Sequence, residues 1–308
     1  MKIIFILLSF IFFVYADNPN KETLNLGNNQ ADVYYKEGLQ YTKEKKYTLA
    51  LKMLHKASKL NPKKNHCYYN DIGNIFYEQQ KYEKAEVWYK KAIELTTKNY
   101  RAYYNLALIY YVREDFNKAI EWNKEAIKLN SKSKESHFLL GNSYFSLKKY
   151  ELAIKSYEIV IELDPNHTDA IGNLALCYVC KQEYLKAETI YKKAISINDK
   201  NSIDYLVLFD IQLIQDKTFD KDIEKKFFKI FQNKKNVMII YDAYKILQKI
   251  SNKQNIDKDM KNWIETYKTV KKVWIFEDVQ EWISKKNNKE IVSKLENALD
   301  IFRRQIEF

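Results

Sequence analysis

A small residue recurs at a fixed interval through the first two-thirds of this chain. Gly38, Gly73, Ala107, Gly141 and Ala175 are each followed twelve residues later by an alanine: Ala50, Ala85, Ala119, Ala153 and Ala187. Seven residues further on stand Ala57, Ala92, Ala126, Val160 and Ala194. Successive copies are 35, then 34, 34 and 34 residues apart. A period in this range specifies stacked helical hairpins, none of which can bury its apolar face alone. A stack of hairpins presents an extended surface, so the pattern points towards binding rather than catalysis.

The recurring small residues mark the places where two helices cross closely. A leucine at Ala50 or Ala85 would be forced into filled space, at a cost of ~1–3 kcal/mol per site. Large residues keep the same register. Tyr41, Phe76, Tyr110, Tyr144 and Tyr178 each follow the first small residue by three, and Tyr47, Tyr82, Phe116, Tyr150 and Tyr184 each precede the central alanine by three. Knob and hole therefore repeat together. With only 5 glycines and 3 prolines, and with Lys, Glu, Leu and Ile abundant, the composition suits an all-helical chain.

At these residues the chain resembles the tetratricopeptide repeat family, which has two helices per repeat. With repeats starting at Ala31, His66, Tyr100, Lys134 and Thr168, every recurrence falls on a framework position of that family, and Pro62 and Pro165 match its closing proline. The resemblance covers residues 31–201 and implies an all-α, right-handed α-α superhelix. There are departures. Tyr34, Tyr69, Tyr103, His137 and Ile171 stand where an early Trp is usual, and Glu37 replaces a Leu. Thr97, Ser131 and Asp199 take the place of the closing Pro.

The resemblance further implies that first helices line a concave face. Carried over position by position, that face holds Tyr35, Lys43, Asn70, Asn74, Tyr77, Arg101, Tyr104, Asn105, Tyr111, Phe138, Asn142, Phe145 and Asn173. Amide side chains suit an extended peptide backbone, and rings are frequent interface anchors. Tyr77, Tyr111 and Phe145 recur at one position, which equally suits packing between helices. Some relatives clamp the terminal carboxylate of a chaperone peptide. Asn74 and Asn105 match the two amides of that clamp, but Asn70, Glu135 and Leu139 occupy the positions of its cations. Without charge-assisted donors the carboxylate is not held, so this ligand is rejected.

Lys2, the apolar run Ile3–Val14 and the sequence Val14-Tyr15-Ala16 before Asp17 have the form of a cleaved export signal over 1–16. The run is short for a membrane span, which needs ~20 residues. No cysteine lies near the cut, so a lipoprotein anchor is not expected. Residues 17–30 are polar and aperiodic and read as a flexible leader. Net charge is +12, and residues 217–308 supply +7 of it through 21 Lys and Arg against 14 Asp and Glu. Such a surface suits solvated helix faces, anionic lipid or an acidic protein. Export argues against nucleic acid.

Beyond Asn201 the register fails. Tyr205 and Leu208 still fit a sixth repeat, but Lys221 takes the place of the central alanine. The spacing predicts a degenerate hairpin over 203–215 and 219–232, then helices over 236–251, 258–285 and 288–305. Region 202–308 either caps the repeats or forms a separate helical domain.

Signals for chemistry are weak. Cys177 and Cys180 have redox-pair spacing but fall late in an expected helix with no strand before it, so they are read as structural. Cys67 leaves an odd count. His55, His66, His137 and His167 are scattered, and no phosphate-binding glycine loop occurs. The expectation is a non-catalytic adaptor without cofactor or metal, holding a peptide or partner protein in a periplasmic or secreted setting, for envelope assembly or secretion. The competing expectation is a structural protein lying on anionic membrane through its basic C-terminal helices.

Overall fold

The computed structural model describes residues 30–267, 283, 284, 286 and 288–307. The expected signal segment, residues 17–29 of the leader and the stretch 268–282 lie outside the described residues, and with them Val270, Trp274, Val279 and Trp282 of the expected helix over 258–285. Fifteen helices and no strand occur among the described residues. They are α1 Gln30–Lys43, α2 Tyr47–Leu60, α3 Asn65–Glu78, α4 Tyr82–Leu95, α5 Tyr100–Val112, α6 Phe116–Leu129, α7 Lys134–Ser146, α8 Tyr150–Leu163, α9 Thr168–Cys180, α10 Tyr184–Ile197, α11 Ser202–Ile214, α12 Lys221–Phe231, α13 Lys235–Ser251, α14 Asp257–Tyr267 and α15 Lys289–Glu307. A 3-10 turn, Pro62–Lys64, leads into α3. The all-α expectation holds. The chain forms two compact units, to Leu147 and from Lys148.

In the first unit α1 and α2, α3 and α4, and α5 and α6 form hairpins, and α7 packs against α6. The small residues sit at the crossings. A Cβ on Gly38 would lie 3.0 Å from the Leu54 side chain, and one on Gly73 would lie 2.5 Å from the Tyr89 ring. Ala50, Ala57, Ala85, Ala92, Ala119 and Ala126 are fully buried. Each hairpin turns through a residue in the left-handed region: Lys45 at φ 57°, Gln80 at 59° and Glu114 at 61°. The next N–H then reaches back to the carbonyl of the recurring aromatic: Lys46 to Tyr41 at 2.8 Å, Lys81 to Phe76 at 2.9 Å and Asp115 to Tyr110 at 2.9 Å. These bonds close the first helix of each pair and satisfy otherwise orphaned carbonyls. Asn99 and Ser133 cap α5 and α7, accepting from the N–H of Ala102 and Ser136.

In the second unit α8 packs on α9, α9 pairs with α10, and α11 packs on α10. The left-handed turn residue recurs at Lys148, Gln182 and Asp216, still 34 residues apart. The sixth hairpin therefore keeps the turn of the repeat. However, α12 begins at Lys221, five residues past the turn residue, where the earlier second helices begin two past it. Three extra residues shift the helix along, which is why Lys221 stands where an alanine was expected. The inward residues of α12 are instead Ile223, Phe227 and Phe231. A further left-handed turn at Lys253 joins α13 to α14.

One buried cluster runs from Ala175, Ala187 and Tyr191 through Phe209, Phe227 and Tyr241 to Trp263, Leu295 and Phe302. Aromatic rings dominate it, with Phe209 and Tyr241 centred 5.3 Å apart and Trp263 and Phe302 4.6 Å apart. The Trp263 indole N–H donates to the Ile239 carbonyl at 3.1 Å. No helix among the described residues is long and apolar enough to cross a membrane.

Candidate functional site

The first helices of the first unit carry a polar network that links three consecutive hairpins. Its centre is Asp71, on α3. The Tyr35 hydroxyl of α1 donates to Asp71 Oδ2 at 2.7 Å. The Asn70 and Asn74 amides donate to Asp71 Oδ1 at 3.5 and 3.4 Å. From α5, Asn105 Nδ2 donates to both Asn70 Oδ1 and Asn74 Oδ1 at 3.0 Å. The Tyr89 hydroxyl of α4 also donates to Asn74 Oδ1, at 2.8 Å. Both N–H groups of Asn105 and both lone pairs of the Asn74 oxygen are thus engaged.

Electrostatics follow from this environment. Burial pushes the Asp71 carboxyl up to about 6, against the pull of the Tyr35 and Asn70 hydrogen bonds and the charge of Arg101. Burial and the neighbouring Asp71 push the Tyr35 hydroxyl far above its ordinary value. Arg101 is exposed, and its Nε donates to the Tyr100 hydroxyl at 3.4 Å, so it acts on Asp71 only through space. Beside the network, Tyr77, Tyr104 and Tyr111 pack against the buried cluster of Ala107, Leu108 and Leu139. Tyr77 also meets Tyr82 with ring centres 5.5 Å apart, and Tyr111 meets Phe116 at 5.5 Å. These two rings therefore serve hairpin packing as well as the inner face. Burial raises Tyr77 to about 12 and Tyr104 still further, the latter with the help of Glu135.

The thirteen residues expected on this face do not behave alike. Tyr35, Asn74, Tyr77, Tyr104, Asn105 and Tyr111 are half-buried on α1, α3 and α5, and Lys43 and Arg101 are exposed. Asn70 is buried within the network. Phe138, Asn142 and Phe145 of α7 are buried, so the open part of the face belongs to α1, α3 and α5. Asn173 is half-buried on α9, in the second unit. Asp71 was missed. It is the sixth residue of its repeat, as Asn105 is of the next, and that register was the signal that could have found it.

The other sequence candidates are quieter. Cys67, Cys177 and Cys180 form no disulfide among the described residues, and burial pushes Cys177 up to about 12, which keeps it a thiol. Among the described residues no three His, Cys, Asp or Glu side chains converge as metal ligands would.

Family models match two overlapping stretches: "Anaphase-promoting complex, cyclosome, subunit 3" over residues 78–160 and "Tetratricopeptide repeat" over 138–202. The second match, the 34-residue turn register and the close crossings at Gly38 and Gly73 agree on what the hairpins are. They are tetratricopeptide repeats. Solved structures with TM-scores above 0.5 share the fold, a tetratricopeptide repeat protein among them. A tetratricopeptide repeat protein from Parabacteroides merdae is 17% identical with a TM-score of 0.55, covering 88% of this chain and 99% of that one. Pseudomonas aeruginosa pilF is 19% identical with a TM-score of 0.57, covering 66% and 91%. YrrB, described as a tetratricopeptide repeat protein with an unusual peptide-binding site, is 24% identical with a TM-score of 0.48, covering 58% and 91%. No curated protein matches the chain significantly.

Proposed function

We propose that the chain is a non-catalytic adaptor that holds an extended peptide, or a segment of a partner protein, against the first-helix face of its tetratricopeptide repeats. The observation that carries this reading is the row Tyr35, Asn74, Tyr77, Tyr104 and Asn105, half-exposed on successive first helices. Rings with few rotatable bonds, set among ordered amides, offer contact area at small entropic cost. The network holds Tyr35, Asn74 and Asn105 in place before any partner arrives, and preorganisation lowers the cost of binding. The place of action is an exported compartment, periplasmic or secreted, and the role one in envelope assembly or secretion. That part rests on the export signal in the first sixteen residues.

A photo-crosslinking amino acid at Tyr104, compared with one at exposed Lys84 on the outer helix α4, tests the binding reading in the native cell. A discrete polypeptide captured from position 104 and not from 84, and lost in a Tyr77→Ala/Tyr104→Ala chain that stays helical, is the expected result. Equal capture from both positions would overturn it. The compartment is tested by amino-terminal sequencing of the mature protein, which should begin at Asp17. An uncleaved chain recovered from the cytosol would remove the export claim.

A further inference from the structure

The carboxylate at the centre of the network lacks what Glu86, Glu188 and Glu224 have. Glu86 accepts from Arg113 at 2.6 Å and Lys90 at 2.7 Å. Glu188 accepts from Lys217 at 2.8 Å and Lys192 at 3.2 Å, and Glu224 from Lys245 at 3.2 Å. Asp71 accepts only from the neutral donors Tyr35, Asn70 and Asn74. The nearest cation in register, Arg101, turns its guanidinium to the Tyr100 side chain, with the ring centre 5.8 Å away. A half-buried negative charge held by neutral donors is incompletely compensated, and it gains most from an incoming cation.

The surroundings suit that cation. Tyr35, Tyr77 and Tyr104 stand half-exposed on the same face, and a cation over such rings gains from their electron density. Glu135 adds a second negative charge acting on the Tyr104 hydroxyl. The amides, by contrast, are largely engaged with one another, so an incoming carboxylate would find few free donors and would be repelled by Asp71.

We propose that the Asp71 carboxylate is the counter-ion for a lysine or arginine side chain of an extended peptide lying across α1, α3 and α5. This inference rests on the peptide-holding reading and names the chemistry that the peptide must carry. Other groups acting on Asp71 or acted on by it are Tyr35 from α1, Cys67 from α3 itself, Tyr89 from α4 and Arg101 from α5. Of these only Asp71 changes charge between neutral and mildly acid pH, so recognition of the cation fades as pH falls through about 6.

The test uses the full chain and four fluorescein-labelled ten-residue peptides of one neutral, extended sequence, differing only in a central Lys, Arg, Gln or Glu. Anisotropy at pH 7.5 is expected to show Lys and Arg peptides binding roughly tenfold tighter than the Gln peptide, and the Glu peptide weakest. Asp71→Asn should erase the preference, so that the Lys, Arg and Gln peptides bind the variant alike. The ratio is internal to each variant, so it does not depend on equal stability, and a pH series on the unaltered chain should lose the preference below pH ~6 without any substitution. Equal binding of Lys and Gln peptides overturns the counter-ion role and leaves peptide binding standing. A preference for Glu, or one that survives Asp71→Asn, also overturns it. Failure of all four peptides to bind at millimolar concentration sinks both readings.

Discussion

Two carboxylates in the first unit, Asp71 and Glu86, sit on adjacent helices of one hairpin and titrate in opposite directions. Asp71 faces neutral hydroxyl and amide donors, and its carboxyl is pushed up to about 6. Glu86 pays a burial penalty too, but Lys90, the Tyr110 hydroxyl and Arg113 outweigh it and hold the carboxyl at about 2. Asp71 is the more strongly desolvated of the two, and it also lacks the cations that stand at hydrogen-bond distance from Glu86. The outer cluster is complete within the protein. Glu86 joins the second hairpin to the third through Arg113 and Tyr110, and Glu188, 102 residues later in the same repeat register, does the same for the fifth and sixth through Gln212. The inner cluster also ties hairpins together, through Tyr35 and Asn105, but its carboxylate accepts from neutral donors alone.

That contrast can be broken at several points. The largest effect is expected from Gly73→Ala, because the new methyl would meet the Tyr89 ring at 2.5 Å and displace the hydroxyl that bonds Asn74. We expect a loss of ~1–3 kcal/mol in denaturant unfolding, together with a loosened inner network and an intact Glu86 cluster. Glu86→Gln should cost ~1–2 kcal/mol at neutral pH. The folded pKa of Glu86 lies below its ordinary value, so its contribution is present above pH ~4.5 and lost as pH falls towards 2. The variant and the unaltered chain should therefore converge in acid thermal melts. Asp71→Asn should act with the opposite sign. Folded Asp71 binds its proton more tightly than unfolded Asp71, so its contribution is complete below pH ~4 and lost as pH rises through about 6. The variant should gain up to ~1 kcal/mol at pH 7 and nothing at pH 4. A variant less stable than the parent at pH 7 would refute the view of an undercompensated charge. The smallest change is Gln80→Gly, in the turn between the two helices. It relieves a left-handed non-glycine residue at φ 59° and should add ~0.5–1 kcal/mol while moving neither pH profile.

Much of this architecture was legible before any coordinates. Gly73 and Ala85 were readable because a close helix crossing tolerates only small side chains, and that constraint repeats wherever the crossing repeats. The turn residues Lys45, Gln80 and Glu114 were not readable, because the expected signal for a left-handed turn is glycine and none of them is one. The sixth hairpin, expected over 203–215 and 219–232, lies at Ser202–Ile214 and Lys221–Phe231. Apolar spacing placed its helices where the alanine register failed, and the structure adds the reason: the turn at Asp216 is in register, but three extra residues precede Lys221. On the binding face, register found Tyr35, Asn74 and Asn105 but not the residue that joins them.

The amino-acid order determined the hairpins, their period and which side chains sit at the crossings, since these are local rules of size and spacing repeated along the chain. Tertiary structure decided which inner-face residues remain open, burying Phe138 and Phe145 while leaving Tyr35 and Tyr104 half-exposed. It also decided which carboxylate has a cation beside it. Asp71 and Glu86 have local partners in Asn70, Asn74 and Lys90, but Tyr35 reaches Asp71 from 36 residues away and Tyr110 and Arg113 reach Glu86 from 24 and 27. Charge compensation is a property of distances in space, so beyond the Lys90 pair it was fixed by the packed hairpins.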